Sequence, residues 1–207
     1  IHPQTPNIYG INRVIKGEDT RKIIPSAAYV VEGSFYSSRE PHLPIETDVM
    51  QAYWDEEDRM TIQCKSQNLH GNKSMIAAGI GLPPEKIRII QNPTGGSFGY
   101  SMSPAAYAMV AACAMALDTP VTLTMSYPEH QAFSGKRSPS YTNARLACDK
   151  DGKIIALEYD MVLESGAYPE TSTKLADKAI RFVGNPYQVP NISGICKSVL
   201  CNNAFGV

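Results

Sequence analysis

Hydrophobic and polar positions alternate between two periods along the chain. Ala27 to Tyr36 has a β-like pattern centred on Tyr29, Val30 and Val31. Asp48 to Trp54 predicts a second strand, and Met60 to Lys65 predicts its hairpin partner across the turn Asp55-Glu56-Glu57-Asp58. Asn68 to Ile80 changes to a helical period, with Asn68 as N-cap and Gly81 as the stop. Lys86 to Gln91 alternates again as a strand. Pro104 to Leu117, rich in Ala and Met, predicts a buried helix with Ser103 as cap and Pro104 in its first turn.

Further on, Val121 to Met125 predicts a strand, and Thr142 to Cys148 and Ile154 to Val162 predict a hairpin across Asp149-Lys150-Asp151-Gly152. Thr171 to Phe182 predicts a helix and Val189 to Cys201 a strand. Residues 1–26, rich in Pro and Asn, read as an extended arm or linker. Helices mixed with hairpin-joined strands predict the α+β class, with mixed or antiparallel sheets and packed helices, rather than a doubly wound sheet. No internal repeat is visible.

The 207 residues suffice for one domain with a sizeable core. Basic and acidic side chains nearly cancel, 19 against 20, which excludes a charged disordered tail and argues against bulk nucleic-acid binding. The longest apolar run, Pro104 to Leu117, is too short to span a bilayer, so no membrane partner is expected. Five cysteines, Cys64, Cys113, Cys148, Cys196 and Cys201, include no Cys-x-x-Cys pair and read as buried free thiols in a reducing compartment. With the histidines scattered as well, no direct metal-ligand pattern emerges. The chain starts at Ile1 with neither an initiator Met nor a signal-type charged region, which reads as a piece of something larger.

The most informative stretch is Pro93-Thr94-Gly95-Gly96-Ser97-Phe98-Gly99-Tyr100, between a predicted strand and a predicted helix. Gly95, Gly96 and Gly99 let backbone approach a ligand closely, and amides there favour an oxyanion. On the residues alone the loop is either a tight turn or an anion or cofactor cradle. It matches neither a Walker loop nor Gly-x-Gly-x-x-Gly.

Other candidates divide in the same way. Gln67 can donate its amide to an oxygen ligand without adding charge, or act as a helix cap or surface amide. His42 and Glu46, set among Pro41 and Pro44, read as a structural hydrogen-bonded pair rather than a metal site. Ser134-Gly135-Lys136-Arg137-Ser138-Pro139 is a basic loop suited to a phosphate or to solvent. Lys178 and Arg181 share a predicted helix face, solvated or in a pocket. Glu158, Asp160 and Glu164 alternate along a strand whose face would meet solvent. No nucleophile triad is present.

Pro93 to Tyr100 resembles the Gly-Gly-x-Phe-Gly loop of the molybdenum hydroxylases, the xanthine dehydrogenase and aldehyde oxidoreductase family. Ile1-His2-Pro3, Pro6-Asn7-Ile8-Tyr9 and Lys16-Gly17-Glu18-Asp19-Thr20 are similar to the linker entering that family's molybdenum domain. Val31-Glu32-Gly33-Ser34-Phe35-Tyr36 and Pro41-His42-Leu43-Pro44-Ile45-Glu46 look like the next part. Gly135-Lys136-Arg137-Ser138-Pro139, Gly166-Ala167-Tyr168 and Tyr187-Gln188-Val189-Pro190-Asn191-Ile192 continue in family order. The bacterial aldehyde oxidoreductases are resembled in particular.

The resemblance implies that residues 27–207 are the first, incomplete part of a molybdopterin-binding domain, entered through the arm 1–26. It implies a molybdenum cofactor, molybdopterin in its cytosine dinucleotide form, contacted by Gly95, Gly96, Ser97, Phe98 and Gly99, with Gln67 approaching an oxo ligand of the metal. It places Lys178 in the substrate pocket where many members carry an arginine, so a compact charge replaces a planar fork. No catalytic residue is expected within the chain. The general-base glutamate would lie outside it, and the family's Ala-Phe-Arg-Gly motif would follow Val207. Implied partners are an aldehyde substrate, the remainder of the molybdenum subunit and domains carrying iron–sulfur clusters, in the cytoplasm. The implied function is oxidation of aldehydes to carboxylic acids, with the isolated piece inactive and prone to self-association. A purine-type hydroxylase, a non-catalytic interaction or scaffold domain, and a phosphate-binding enzyme using Gly95 to Gly99 are the rival readings. Ser101-Met102-Ser103 departs from the family in lacking a lysine soon after the loop.

Overall fold

A computed structural model describes residues 4, 6–168 and 170–206, so Ile1-His2-Pro3 and Val207 lie outside the described residues. In chain order the elements are β1 (Ile8–Lys16), α1 (Thr20–Ile23), β2 (Tyr29–Ser37), β3 (Val49–Trp54), β4 (Met60–Cys64), α2 (Leu69–Ile80), β5 (Ile87–Gln91) and α3 (Ala105–Leu117). There follow β6 (Val121–Thr124), α4 (Tyr127–Phe133), β7 (Ser140–Cys148), β8 (Ile154–Gly166), α5 (Ser172–Phe182) and β9 (Asn191–Leu200). They fall into two units, one made of Ile1–Glu40 with Lys136–Val207 and the other of Pro41–Gly135.

The first unit is built on a five-stranded sheet in the order β1-β9-β8-β7-β2. The predicted hairpin is there, with β7 and β8 antiparallel. β8 and β9 run parallel, and parallel neighbours need a crossover, which α5 supplies. Ser172, Ala176 and Ile180 recur every fourth residue and form the buried stripe of α5, against a core containing Leu157, Tyr159, Leu163 and Cys196. Within the stretch read as an arm, β1 pairs antiparallel with β9 along the outer edge of this sheet. Pro and Asn at residues 1–26 masked an alternating run that starts at Ile8.

The second unit has a four-stranded sheet in the order β5-β4-β3-β6. Alternation sends Met50 and Ala52 of β3, and Met60, Ile62 and Cys64 of β4, into one core. Tyr107, Val110, Ala111 and Ala114 of α3 close it from above. Gly81 ends α2 in the left-handed conformation, as its position predicts. Pro104 is the N-cap of α3 rather than a first-turn residue, because a 3-10 turn at Tyr100–Met102 precedes it. α4 was not predicted. Its capping box, Ser126 with Glu129, is the local signal for it.

All five cysteines are unpaired thiols, and only Cys64 and Cys196 are buried, while Cys113 is exposed on the outer side of α3. No helix among the described residues is long and apolar enough to cross a membrane. Mixed and antiparallel sheets with packed helices are the α+β arrangement that the sequence predicts.

Candidate functional site

The site is set by the one parallel pair of the second unit. Parallel strands end on the same side of a sheet, so the segments leaving β4 and β5 are neighbours. Cys64 pairs with Gln91, and Asn92 N–H donates to the Cys64 carbonyl at 3.0 Å. The turn Lys65-Ser66-Gln67 and the glycine-rich loop therefore run side by side. Gln67 N–H donates to the Ser101 carbonyl at 3.2 Å, and Ser97 Oγ donates to Gln67 Oε1 at 2.8 Å.

Each residue of the loop has a different environment. Gly95 N–H donates to a carboxylate oxygen of Glu46, and a Cβ at Gly95 would run into that same oxygen. Ser97 points inward and is 3% exposed. Phe98 and Gly99 both have positive φ, 55° and 113°. Such a value is uncommon for an aromatic residue, and at Gly99 it favours glycine. At Gly96 the fold itself demands no glycine, since a Cβ there would meet the Phe98 ring at an ordinary 3.5 Å. The amides of Gly96, Ser97, Phe98 and Gly99 donate to no acceptor among the described residues. Phe98 is 57% exposed beside them. A row of unspent backbone donors suits a bound acceptor group that brings oxygen, nitrogen or sulfur to the loop.

Beneath the loop lies a buried polar cluster that the sequence reading did not single out. The Lys65 side chain is 2% exposed. Its Nζ donates to the Glu46 carbonyl at 2.9 Å, stands 3.9 Å from Asp48 Oδ1 and lies 4.8 Å from the centroid of the Tyr100 ring. Tyr100 OH donates to Asp48 at 3.3 Å, and His130 Nδ1 is 3.9 Å from Asp48 Oδ2. Burial pushes the Asp48 carboxyl up and the Lys65 ammonium down, while their mutual attraction opposes both shifts. Burial raises the Tyr100 phenol, with the Asp48 charge adding to it. Asp48 was detectable in the sequence, because it shares inward parity with Met50 and Ala52 of β3.

The other candidates find different places. His42 Nδ1 donates to the Gly135 carbonyl at 3.1 Å, and Glu46 accepts from Gly95 N–H. Lys178 lies on α5, in the unit built on the five-stranded sheet, where it is exposed and makes no ion pair among the described residues. Arg181 is engaged by Asp177 at 2.9 Å. The basic loop is tied down by its backbone, Lys136 N–H to Phe205 O and Arg137 N–H to Glu40 O. Glu158, Asp160 and Glu164 do not simply face solvent. Arg145 and Thr20 contact Glu158, Lys197 lies 2.8 Å from Asp160, and Arg39 and Asn203 reach Glu164. Among the described residues no group of three or more His, Cys, Asp or Glu side chains could hold a metal ion.

Comparison with known proteins gives a consistent picture. The family model described as a molybdopterin cofactor-binding domain matches residues 1–206. Over 206 residues the chain is 43% identical to the aldehyde oxidoreductase of Megalodesulfovibrio gigas, covering 100% of this chain and 23% of that protein. It is 30% identical over 203 residues to the nicotinate dehydrogenase large molybdopterin subunit of Eubacterium barkeri, covering 98% of this chain and 47% of that one. The solved structure of the aldehyde oxidoreductase from Desulfovibrio gigas superimposes with a TM-score of 0.92 at 42% identity, covering 99% of this chain and 23% of that chain. The chain thus spans from about a quarter to about half of the length of these relatives.

Proposed function

From the chain's membership of the molybdopterin cofactor-binding domain family, we propose that it supplies part of the cofactor shell of a molybdenum-dependent oxidoreductase that converts aldehydes to carboxylic acids. The observation that carries this reading is the row of unpartnered amides at Gly96, Ser97, Phe98 and Gly99, beside a glycine at 96 that the fold does not itself require. When bound, molybdopterin supplies a redox-active molybdenum held through a dithiolene.

The chain's own residues bind and orient. The amides of 96–99 donate to acceptor atoms of the cofactor, and the Phe98 ring excludes water beside them. Gln67 accepts from Ser97 through its Oε1 and so presents its NH2 group as a neutral donor. Gly95 contributes close approach rather than an amide, since Glu46 occupies its N–H. Lys178 serves as the substrate-pocket cation. The cytosine dinucleotide form of the pterin is the form proposed. Residues 27–207 are assigned to the first part of the cofactor domain, with 1–26 as the entering segment. The rest of the molybdenum subunit, the general-base glutamate and the iron–sulfur clusters come from outside residues 1–207, in a cytoplasmic protein. Exposed apolar side chains on the edge strands β1 and β2, among them Ile11, Ile15, Val31 and Phe35, support association of the isolated chain.

The test is made on the longer protein that contains this segment. Molybdenum and pterin are expected at about one per chain, with aldehyde-dependent dye reduction. Gly99→Ala forces a Cβ onto a backbone at φ 113°, at a cost of about 1–3 kcal/mol, and turns the amide row. It is expected to lower pterin retention by about tenfold. Wild-type protein that assembles without pterin would overturn the reading.

A further inference from the structure

We propose that Glu46 is a positioning residue, which fixes the start of the glycine loop so that the following amides face a bound cofactor. This rests on the cofactor reading above and concerns how that same site is held.

Glu46 is clamped at two points. Its main chain is fixed by Lys65, whose buried Nζ donates to the Glu46 carbonyl at 2.9 Å. Its carboxylate takes the Gly95 N–H with one oxygen, while the other lies 3.8 Å from the same Nζ. The lysine thus fixes both the backbone and the charge of the residue that holds Gly95.

The fold alone does not need this contact. Gly95 is exposed, so water could satisfy its N–H, and the Glu46 side chain, 39% exposed, could be solvated instead. A carboxylate that gives up water for a single amide of an exposed loop orders that loop. Conformational freedom at consecutive glycines is the entropy it removes. The contact also marks where the cradle begins. Gly95 N–H is spent on Glu46, so acceptor atoms of a ligand meet the amides of 96–99, which have no partner among the described residues.

Reach and charge can be separated by two variants in the longer holoenzyme. Glu46→Gln keeps the reach, and its carboxamide oxygen still accepts from Gly95. Glu46→Asp keeps the charge but is one methylene too short. Amide exchange of the peptide over residues 93–100 and pterin content per chain are measured together, with the molybdenum(V) resonance spectrum as a third readout. Glu46→Asp is expected to speed exchange by about tenfold, to lower pterin retention several-fold and to alter the spectrum. Glu46→Gln is expected to stay near wild type in all three. Equal behaviour of the two variants, or unchanged exchange in Glu46→Asp, would overturn the proposal. Wild-type protein without pterin would instead overturn the cofactor reading, and exchange at Gly95 would still decide whether Glu46 orders the loop.

Discussion

The Ser97 hydroxyl and the Gln67 carboxamide form a hydrogen bond whose direction the neighbours dictate. Ser97 Oγ accepts from Ser101 N–H at 3.2 Å and also from the Ser101 hydroxyl. Both of its lone-pair directions are used, so its single proton goes to Gln67 Oε1 at 2.8 Å. The orientation of the amide follows. Gln67 turns its oxygen to Ser97 and leaves its NH2 as the outward group. A neutral donor at the mouth of the glycine loop is therefore fixed by a buried serine of that loop.

Ser97→Ala tests this chain of bonds. Alanine removes the proton that holds Gln67 and the acceptor that holds Ser101. The local cost is about 1–2 kcal/mol, since Ser97 is buried and Ser101 loses its partner. Pterin retention in the longer protein is expected to fall several-fold, and Gln67→Ala on top of Ser97→Ala should add little, because the two act as one unit. Independent, additive losses in that double-mutant cycle would show that Ser97 does not act through Gln67.

Asp48 gives the cluster below the loop a pH signature. It is 6% exposed, and burial holds its carboxyl above the ordinary 3.8, with Lys65 opposing. Between 3.8 and the raised value the native state keeps a proton that the unfolded chain has released. The contribution of this group to stability is therefore fully present below 3.8 and is lost as pH rises through the raised value. Asp48→Asn cannot titrate and still offers Tyr100 an acceptor. The difference in local stability should shift in favour of the variant as pH rises from 3.8 towards neutrality, read as intrinsic-rate-corrected amide exchange of β3 and β4. Parallel pH curves for the two proteins would contradict the assignment.

What could be read in the sequence was what repeats locally. The alternation of Met60, Ile62 and Cys64 and the stop at Gly81 gave strand and helix directly. The glycines at 95 and 99 marked the loop, although their reasons differ, close approach at one and positive φ at the other. The environment of Glu46 could not be read, because its partners Lys65 and Gly95 lie 19 and 49 residues away in sequence. His42 and Glu46 read as a local pair among Pro41 and Pro44, while the His42 bond to Gly135 spans 93 residues. Spacing predicts contacts only within one helix or strand, and the segment of Pro41 and Pro44 is neither. Strand β1 is hidden in the sequence by the Pro and Asn around it, and its pairing partner β9 comes last in the chain.

On the five-stranded sheet, Tyr159 fixes the helix that carries Lys178. The Tyr159 ring lies against Gly194 of β9, where a Cβ would collide with it, and its hydroxyl donates to the Ile180 carbonyl at 2.7 Å. Ile180 stands in the last turn of α5, whose final carbonyls have no partner within the helix. Burial pushes the phenol up to about 12, so it stays a donor at any working pH. Tyr159→Phe removes that donor from a buried carbonyl, at a cost of about 1–2 kcal/mol. Amide exchange in α5 should accelerate by about tenfold, while β7 and β2 keep their protection. On the proposal that Lys178 orients the aldehyde, loosening its helix in the longer enzyme should raise KM more than it lowers kcat, because a cation held less firmly would bind less well in ground and transition states alike. Unchanged exchange in α5 would remove Tyr159 from any part in placing Lys178, and a loss confined to kcat would put Lys178 in the reaction step rather than in binding.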